Sequence, residues 1–471
     1  MGVRKIALMG ATIGTLGAVS GWILPGLASG SGGDPSEGAE TNQLPAEEWV
    51  VLPGPSLVDW TPGSTRRNTV APSTADADDY PLYAQARYHN APVYSTLSLR
   101  WGRGMVRYGQ VVRARWLGSR EGCKDGRWFE LARGGYVCTS RGFRVRESSP
   151  AVPQDATPPE LQAPLPYRYA RVINEAALRF EQPMTADEIA ALPADFEPGR
   201  PPEGVEGRMV GDYFLALAEP ERADDGTEYY RTVRGHYVRT EDLKPVEPPQ
   251  MRGASLSGKR LPLAFVYGAD QVPVYRISDG GQGRVRAGTA KKHARVEVLG
   301  EVELDGARHW QTQNGLALPS EHVRVARAIE RPRDVGDDER WVHVDLSEQA
   351  LVAYQGDTPV YATLISSGKE GYDTAPGLFR IRHKYVSITM SGDDEKEGRY
   401  EVEEVPWTHY YDANFALHGA YWHDDFGKVR SHGCTNIAPA DARWLYEFTS
   451  PHVPRRWHGV RDDGTAVLIT P

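Results

Sequence analysis

Cys434 is the residue of this chain whose surroundings best suit nucleophilic chemistry. It lies in the run 431–436 (SHGCTN), 16 positions after His418, which begins a second His-Gly pair. A free thiol has a pKa of about 8.5 and is mostly protonated at neutral pH, so a nucleophilic cysteine needs a base or a cation beside it. Two histidines can supply the base, and two glycines let a substrate backbone approach closely. This combination of residues is typical of acyl transfer.

The size and charge of the chain limit what it can be. Its 471 residues are too many for one hydrophobic core, so we expect three or four domains. The formal net charge of -9 argues against a nucleic-acid partner, which would normally meet a basic stripe. Forty-nine glycines, 35 prolines and many alternating apolar and polar residues indicate a mostly β protein.

The N-terminus reads as an export signal. Arg4 and Lys5 precede an uncharged run that ends in small residues, so we expect residues 1–29 to be a signal peptide cleaved after Ala28. The same run is long enough to act as a membrane anchor if it stays uncut. Either outcome places the rest of the chain in the periplasm or cell envelope. Residues 30–80 are rich in Gly, Ser, Pro and Asp and are predicted to be a flexible linker.

The two other cysteines have a simpler interpretation than Cys434. Cys123 and Cys138 flank a segment that resembles a hairpin, and an exported protein meets an oxidising compartment. A disulfide between them is the simplest expectation, and two isolated buried thiols are the alternative. Cys434 is then an unpaired thiol in an exported protein, which calls for a functional reason.

A pattern of short strands occurs three times before the cysteine region. Each copy has an aromatic strand, a glycine turn and a second strand, and the three turns contain Gly134, Gly235 and Gly315. The copies are predicted at residues 81–147, 167–247 and 263–328. About five short strands per copy favour small β-barrels, and the pattern resembles bacterial SH3-like domains. Such domains could hold an enzyme near a wall polymer or act only as spacers.

The remaining segment, residues 338–471, reads as a β-meander that leads into the cysteine loop. Apolar alternation predicts strands near 340–346, 351–354 and 360–365, with a hairpin turn at 355–357 (QGD). Pro439 fits the first turn of a helix that runs to about Phe448, with Trp444 and Phe448 one turn apart. We expect this short helix to brace the cysteine loop against the sheet.

Three motifs in this segment resemble the L,D-transpeptidase family, whose catalytic domain is of the YkuD type. They are the run 431–436, the segment 417–420 (LHGA) and the segment 374–381 (TAPGLFRI). In the third motif the proline stands one place later than usual, directly before Gly377. Asn436 occupies a position where many relatives carry arginine. The resemblance covers about a quarter of the chain.

The resemblance implies a role for each matching residue. Cys434 would be the nucleophile, His418 its general base, and Gly419 the residue whose carbonyl orients that base. Backbone N–H groups around Gly433 and Cys434, with the Tyr400 hydroxyl, would stabilise the oxyanion. Four further candidates for shaping the substrate groove are Ser431, His432, Asn436 and Trp422. His432 could instead only hold the loop, and Tyr400 could be a packed surface tyrosine.

The family resemblance also implies the substrate. It implies a peptidoglycan enzyme that makes 3-3 cross-links between stem peptides, releases D-alanine, and needs neither a metal nor a cofactor. Carbapenems are expected to acylate Cys434. Water as acceptor would make the enzyme an L,D-carboxypeptidase or a cross-link hydrolase, and a protein amine would make it a wall-attachment enzyme. Two further alternatives remain. One is a wall-binding scaffold without catalysis, and the other is a zinc hydrolase with ligands drawn from His418, His423, His432, Cys434, Asp424 and Asp425.

Overall fold

A computed structural model describes residues 79–471 except 101, 198, 279 and 395–397. The predicted signal or anchor at 1–29 and nearly all of the predicted linker at 30–80 lie outside the described residues. Within this part of the chain, no helix has both the length and the apolar character needed to cross a membrane. The described chain is mostly β, as the sequence predicts.

The first group of strands, here called module 1, spans residues 82–146. Its strand β1 pairs with β4 and β7, and the pairing continues through β5, β6, β2 and β3. Cys123 and Cys138 are joined by a disulfide in this module. The strands are β1 Leu82–Ala86, β2 Asn90–Tyr94, β3 Gly102–Arg107, β4 Val111–Trp116, β5 Trp128–Leu131, β6 Tyr136–Cys138 and β7 Phe143–Arg146.

The second group, module 2, spans residues 168–245. Strand β11 is central, because it pairs with both β8 and β12. The elements are β8 Arg168–Val172, β9 Leu178–Phe180, helix α1 Ala186–Ala190, β10 Val205–Arg208, β11 Asp212–Arg222, β12 Glu228–Thr232, β13 Tyr237–Arg239, a 3-10 turn Thr240–Asp242 and β14 Leu243–Pro245.

The third group, module 3, forms a separate seven-stranded sheet from residues 263–326. A short strand before it, β15 Ala254–Ser255, joins the catalytic segment instead. The elements of module 3 are β16 Leu263–Val266, β17 Gln271–Ile277, β18 Arg284–Lys291, β19 Arg295–Leu304, β20 Ala307–Thr312, β21 Leu316–Pro319, a 3-10 turn Ser320–His322 and β22 Val323–Ala326. The domain boundaries and SH3-like fold of the three modules stay predictions.

The C-terminal segment has two sheets that share β25. One runs β26, β32, β23, β24, β25, and the other runs β25, β30, β29, β28, β27, β31. The elements are β23 Arg340–Asp345, β24 Ala350–Gln355, β25 Thr358–Ser366, β26 Gly377–Arg380, β27 His383–Asp394, β28 Gly398–Tyr410, β29 Ala416–Gly419, β30 Thr435–Ile437, helix α2 Pro439–Phe448, β31 Trp457–Arg461 and β32 Ala466–Thr470.

The main core of this segment takes apolar side chains from both sheets and from α2. Its members include Val342, Val344, Trp407, Leu417, Ile437, Trp444 and Phe448. Helix α2 begins at Pro439, as the sequence predicts, because proline tolerates the first helical turn. The rings of Trp444 and Phe448 stack at 4.9 Å between centroids. Burial of these large side chains fixes α2 against the strands that carry the cysteine loop.

Modules 1 and 2 continue the sheet of the C-terminal segment. Strand β3 pairs antiparallel with β31, and β11 runs parallel to the start of β28. Three glutamates of β28 also make polar contacts with the modules. Glu401 accepts from Arg179 at 2.8 Å, Glu403 accepts from the Ala216 amide at 3.2 Å, and Glu404 pairs with buried Arg107. Strand β28 is therefore fixed from two sides by the N-terminal modules.

Candidate active site

The cysteine loop connects two parallel neighbouring strands. Strand β29 pairs with β30 in a register that sets His418 opposite Asn436, and Cys434 directly precedes β30. Gly419 is the residue after His418, and its Cα lies close to β28 and α2. A Cβ added there would lie 3.0 Å from Pro406 Cγ and 3.4 Å from Ala442 Cβ. The packing of β28 against β29 therefore leaves little room for a side chain at this position, whereas the contact with α2 is an ordinary one. The parallel register brings the predicted nucleophile and base onto adjacent strands.

A set of hydrogen bonds holds the cysteine loop in shape. Gly433 has a φ of 114°, and an added Cβ would lie 2.5 Å from the Phe415 ring. The Gly433 amide donates to Ser431 Oγ at 3.1 Å, and the Ser431 hydroxyl donates to the carbonyl of Cys434. Ser431 is thus a brace within the loop.

Thr374 ties the upstream motif to the same loop. Its hydroxyl donates to the Gly433 carbonyl at 2.8 Å and accepts from the Gly368 amide at 2.9 Å. A backbone bond from Lys369 to the Ser431 carbonyl, 3.0 Å long, adds a second connection. The threonine of segment 374–381 therefore supports the cysteine loop directly.

The Cys434 side chain is half-buried and poorly hydrated. Burial raises the pKa of its thiol to about 11, and a hydrogen bond from the Ala416 backbone only partly opposes this shift. The sulfur lies 3.7 Å from the Asn414 carbonyl, which can accept only from the protonated thiol. The resting cysteine is therefore a neutral thiol at pH 7.

His418 is buried and also neutral. Loss of solvation lowers its pKa to about 4. Its Nδ1 lies 3.3 Å from the Gly419 carbonyl. A carbonyl can only accept, so Nδ1 carries the proton and Nε2 keeps its lone pair. The imidazole is thus held in the tautomer that a general base needs.

Three tyrosines interact electrostatically with Cys434, and one of them, Tyr410, packs in the same apolar cluster. Burial raises the pKa of Tyr400, Tyr410 and Tyr411, and the charge that Cys434 would carry as a thiolate raises all three further. Their phenols therefore stay protonated and can donate hydrogen bonds at any pH that the protein meets. The sequence predicts Tyr400 as a donor to the oxyanion, but it does not predict a role for Tyr410 or Tyr411.

His432 lies between two aromatic rings. Its ring stacks on Tyr400 at 5.3 Å between centroids and meets the edge of Tyr372 at 4.7 Å. Tyr372 also donates to Asp394 Oδ2 at 2.6 Å. The exposed His432 therefore forms an aromatic cluster with Tyr372 and Tyr400.

Asn436 contacts His423, which lies in the loop after β29. The two side chains lie 2.9 Å apart, and the Asp425 amide donates to His423 Nδ1 at 3.2 Å. Burial lowers the pKa of His423 to about 3, so the ring is neutral and carries its proton on Nε2. We assign the facing atom of Asn436 as its amide oxygen, which also satisfies an otherwise unpaired Oδ1. Asn436 thus fixes the loop that follows β29.

Comparison with known proteins identifies the segment that carries this site. Residues 339–469 match the family model of the L,D-transpeptidase (YkuD) catalytic domain. The C-terminal segment is an L,D-transpeptidase catalytic domain. The modules before it lie outside this match.

Individual relatives of the transpeptidase domain are distant. The Bacillus subtilis protein YciB is 25% identical over 132 residues, which are 25% of this chain and 66% of that protein. A mutant L,D-transpeptidase of Enterococcus faecium is 24% identical, covers 29% of this chain and 50% of its own, and has a TM-score of 0.24. The catalytic domain from E. faecium acylated by ertapenem is 24% identical. The match covers 28% of this chain and 98% of that domain, and the TM-score is again 0.24. The chain thus spans just under two thirds of the curated relative.

Module 2 reaches the transpeptidase site through aromatic contacts. The register of β11 on β28 sets Asp212 beside Tyr400 and Phe214 beside Val402. The Phe214 ring lies 6.3 Å from the Trp422 ring, which lies 5.8 Å from the His418 ring. Trp422, a predicted groove residue, therefore connects the base to module 2. Sequence reasoning missed Phe214 because its partners are about 200 positions away.

The rival zinc site is not assembled in the described part of the chain. His418, His423, His432, Cys434 and the pair Asp424 and Asp425 were its candidate ligands. No three His, Cys, Asp or Glu side chains among the described residues come together as a metal-binding group. His423 instead contacts Asn436, and Asp424 pairs with Lys292 of module 3 at 2.7 Å.

Proposed function

We propose that this protein is a peptidoglycan L,D-transpeptidase that forms 3-3 cross-links through an acyl-enzyme on Cys434. The sulfur attacks the carbonyl between the third residue of a tetrapeptide stem, a diamino acid, and the terminal D-alanine. D-alanine leaves and a thioester remains. The side-chain amine of a second stem then attacks the thioester and restores the thiol. The observation that carries the proposal is the parallel pairing of β29 with β30, which sets His418, its tautomer fixed by the Gly419 carbonyl, on the strand beside the one that Cys434 directly precedes.

The proton follows a single route in this scheme. Nε2 of His418 takes the thiol proton as the sulfur attacks, and gives it to the amine of the departing D-alanine. In the second half-reaction the same nitrogen takes a proton from the attacking amine and returns one to the sulfur. Gly419 keeps Nδ1 occupied throughout, so the ring shuttles protons at one nitrogen only.

The oxyanion needs donors that are not already engaged. The Gly433 amide, predicted as one of them, is bonded to Ser431 Oγ. We therefore propose the amide of Cys434 and the hydroxyl of Tyr400 as the donors, each contributing about 3 kcal/mol to lowering the barrier. The protonated state of Tyr400 supports this role, since its raised pKa keeps the donor in place.

The proposal includes the location and partners of the enzyme. We place it in the periplasm or cell envelope, either released after residue 28 or anchored by residues 1–29. Stem peptides are its substrates, wall-anchored proteins with accessible amines are alternative acceptors, and carbapenems are its covalent inhibitors. The chemistry draws on the cleaved peptide bond and requires neither nucleotide nor cofactor.

Product analysis tests the reaction. Purified protein is incubated with tetrapeptide-rich sacculi, which are then digested and separated by liquid chromatography and mass spectrometry, with the Cys434→Ala protein in parallel. The proposal expects 3-3 linked dimers and free D-alanine only with the unsubstituted protein. Release of D-alanine without dimers would make the enzyme an L,D-carboxypeptidase. Unchanged sacculi would favour a wall-binding scaffold.

A further inference from the structure

Module 1 is strongly basic within an acidic protein. Residues 81–147 contain twelve arginines, one lysine and four acidic residues, a formal net charge of +9, whereas the whole chain carries -9. The average over the full sequence hides this asymmetry. Such a local excess of one charge is an electrostatic signal for a partner of the opposite charge.

Some of these arginines serve the structure of the protein itself. Arg107 is buried against Glu404 of the transpeptidase domain, and Arg115 pairs with Glu130 at 2.6 Å. Arg87, Arg127 and Arg144 are different. All three are exposed, and none has a salt bridge to a carboxylate among the described residues. The Arg127 guanidinium lies 5.8 Å from the centre of the Trp116 ring, a contact that does not use its N–H groups. The three guanidinium groups can therefore donate to a ligand.

The three arginines line one open cavity of about 570 Å³ on module 1. Its remaining lining is largely aromatic. Tyr88 is 42% exposed there, over a floor that includes Phe129 and Phe143. We call this cavity the arginine cleft, defined by Arg87, Tyr88, Arg127, Phe129, Thr139 and residues 142–145.

The backbone around the arginine cleft is rigidly built. Gly142 has a φ of 87°, and an added Cβ would lie 2.5 Å from the Tyr88 ring, so the ring closes directly over the backbone. Arg127 and Thr139 are joined by two hydrogen bonds of 3.0 and 3.1 Å, just beside the Cys123–Cys138 disulfide. The guanidinium groups thus project from a fixed frame, which lowers the entropy lost when a ligand binds.

We propose that the arginine cleft binds the carboxylates of peptidoglycan stem peptides and so docks the enzyme on its polymeric substrate. This inference rests on the proposed function for the choice of polymer. The planar guanidinium matches a carboxylate with two parallel hydrogen bonds, and the aromatic floor suits the apolar parts of a peptide or sugar. Module 1 packs against Cys434 through Met105, but no residue that lines the cleft belongs to that cluster, so docking in the cleft leaves the groove at Cys434 to a stem.

Binding to purified sacculi tests the arginine cleft without catalysis. The full chain carrying Cys434→Ala is compared with the same protein carrying Arg87→Gln, Arg127→Gln and Arg144→Gln. A matched control removes three exposed arginines of module 3, with Arg276→Gln, Arg286→Gln and Arg308→Gln. Both triple variants lose three positive charges, and circular dichroism checks that both fold. Sacculi are stripped of other anionic polymers beforehand.

We expect the cleft variant to bind sacculi about tenfold more weakly or worse, and the control variant to stay within about twofold of the parent. Added salt should weaken the parent's binding, because the contacts are exposed ion pairs. Soluble tetrapeptide muropeptides should compete, and the same muropeptides with amidated carboxylates should not. Equal binding by the cleft variant and the parent would overturn the proposal. The proposal would also be overturned if the protein bound duplex DNA or phosphatidylglycerol vesicles as strongly as sacculi and muropeptides did not compete.

A labelling control separates this inference from the proposed function. The cleft variant with Cys434 intact should be acylated by a carbapenem at the parent's rate, because the cleft contributes nothing to the sulfur's surroundings. Loss of cross-linking on sacculi with unchanged labelling would be the signature of a docking site. If Cys434 proved inert but the protein still bound sacculi through the arginine cleft, the proposed transpeptidase reaction would be wrong and the docking site would still be supported.

Discussion

The pairing of a neutral thiol with a neutral imidazole makes a quantitative prediction about pH. With a thiol pKa of about 11, roughly one Cys434 in ten thousand is a thiolate at pH 7. With a pKa of about 4, His418 is unprotonated above about pH 5. Acylation should therefore proceed by proton transfer to His418 during attack, and its rate should be nearly flat from about pH 5 to pH 10.

Removal of the base should change the shape of the profile as well as its height. In His418→Ala the only nucleophile is the rare thiolate, so the acylation rate at pH 7 should fall about 10²- to 10⁴-fold. That rate should then rise about tenfold for each unit of pH until the thiol itself titrates near pH 11. His322→Ala, on the surface of module 3, is the matched control and should follow the parent.

The assay is the second-order rate constant for acylation of Cys434 by a carbapenem, followed by intact mass between pH 4.5 and pH 10. A parent profile that rises through a midpoint between pH 6 and pH 8 would refute the reasoning. It would show that the thiol or the imidazole titrates within that range, so that the two groups are not a neutral pair from pH 5 to pH 10. An unchanged rate in His418→Ala would refute the assignment of the base.

Three further predictions concern the parts that surround the site. Phe214→Ala should remove the support of Trp422 beside His418 and lower kcat/KM on muropeptides about tenfold, mainly through kcat. The control is Phe196→Ala, because Phe196 packs in a separate apolar cluster of module 2, and equal losses in both variants would contradict the role of Phe214. Burial raises the pKa of Glu403 to about 7, above its unfolded value of 4.5. The folded protein therefore binds the Glu403 proton more tightly than the unfolded chain does, and this stabilises the fold fully below pH 4.5. The free energy of unfolding should fall by roughly 3 kcal/mol as the pH rises through 7. Glu403→Gln should flatten this dependence in urea unfolding measured from pH 4.5 to pH 8, and a slope equal to the parent's would contradict it. Replacement of both Cys123 and Cys138 by serine opens a loop with a sequence separation of 15 and should lower the free energy of unfolding by about 3 kcal/mol. The rate of Cys434 acylation at 25 °C should stay the same, and a changed rate would show that the disulfide also shapes the active site.

The sequence predicted the local architecture of the transpeptidase domain well. The helix after the cysteine runs over Pro439–Phe448, and the three strands before the motif region fall where alternation of apolar residues places them. These features depend on local signals, such as proline at a helix start, glycine in a turn and a period of two along a strand. Gly356, in the predicted hairpin turn, has a φ of 55° that glycine adopts without strain.

The surroundings of Cys434 could not be predicted in the same way. Tyr410 packs with Cys434 because β28 lies beside β29, and Phe214 contacts Trp422 because β11 joins β28 from another module. Both placements depend on strand pairing over long sequence distances, for which a single sequence gives no register. The basic character of module 1 was available in the sequence, but the net charge of the whole chain concealed it.

The central claim is that Cys434 forms an acyl-enzyme with a peptidoglycan stem. Its most direct test is the intact mass of the protein, quenched in acid after brief mixing with tetrapeptide muropeptides, followed by peptide mapping. The account predicts an adduct with the mass of the tetrapeptide muropeptide less D-alanine, located on Cys434 and absent from Cys434→Ala. An adduct on another residue, or cross-linked product formed by Cys434→Ala, would contradict it.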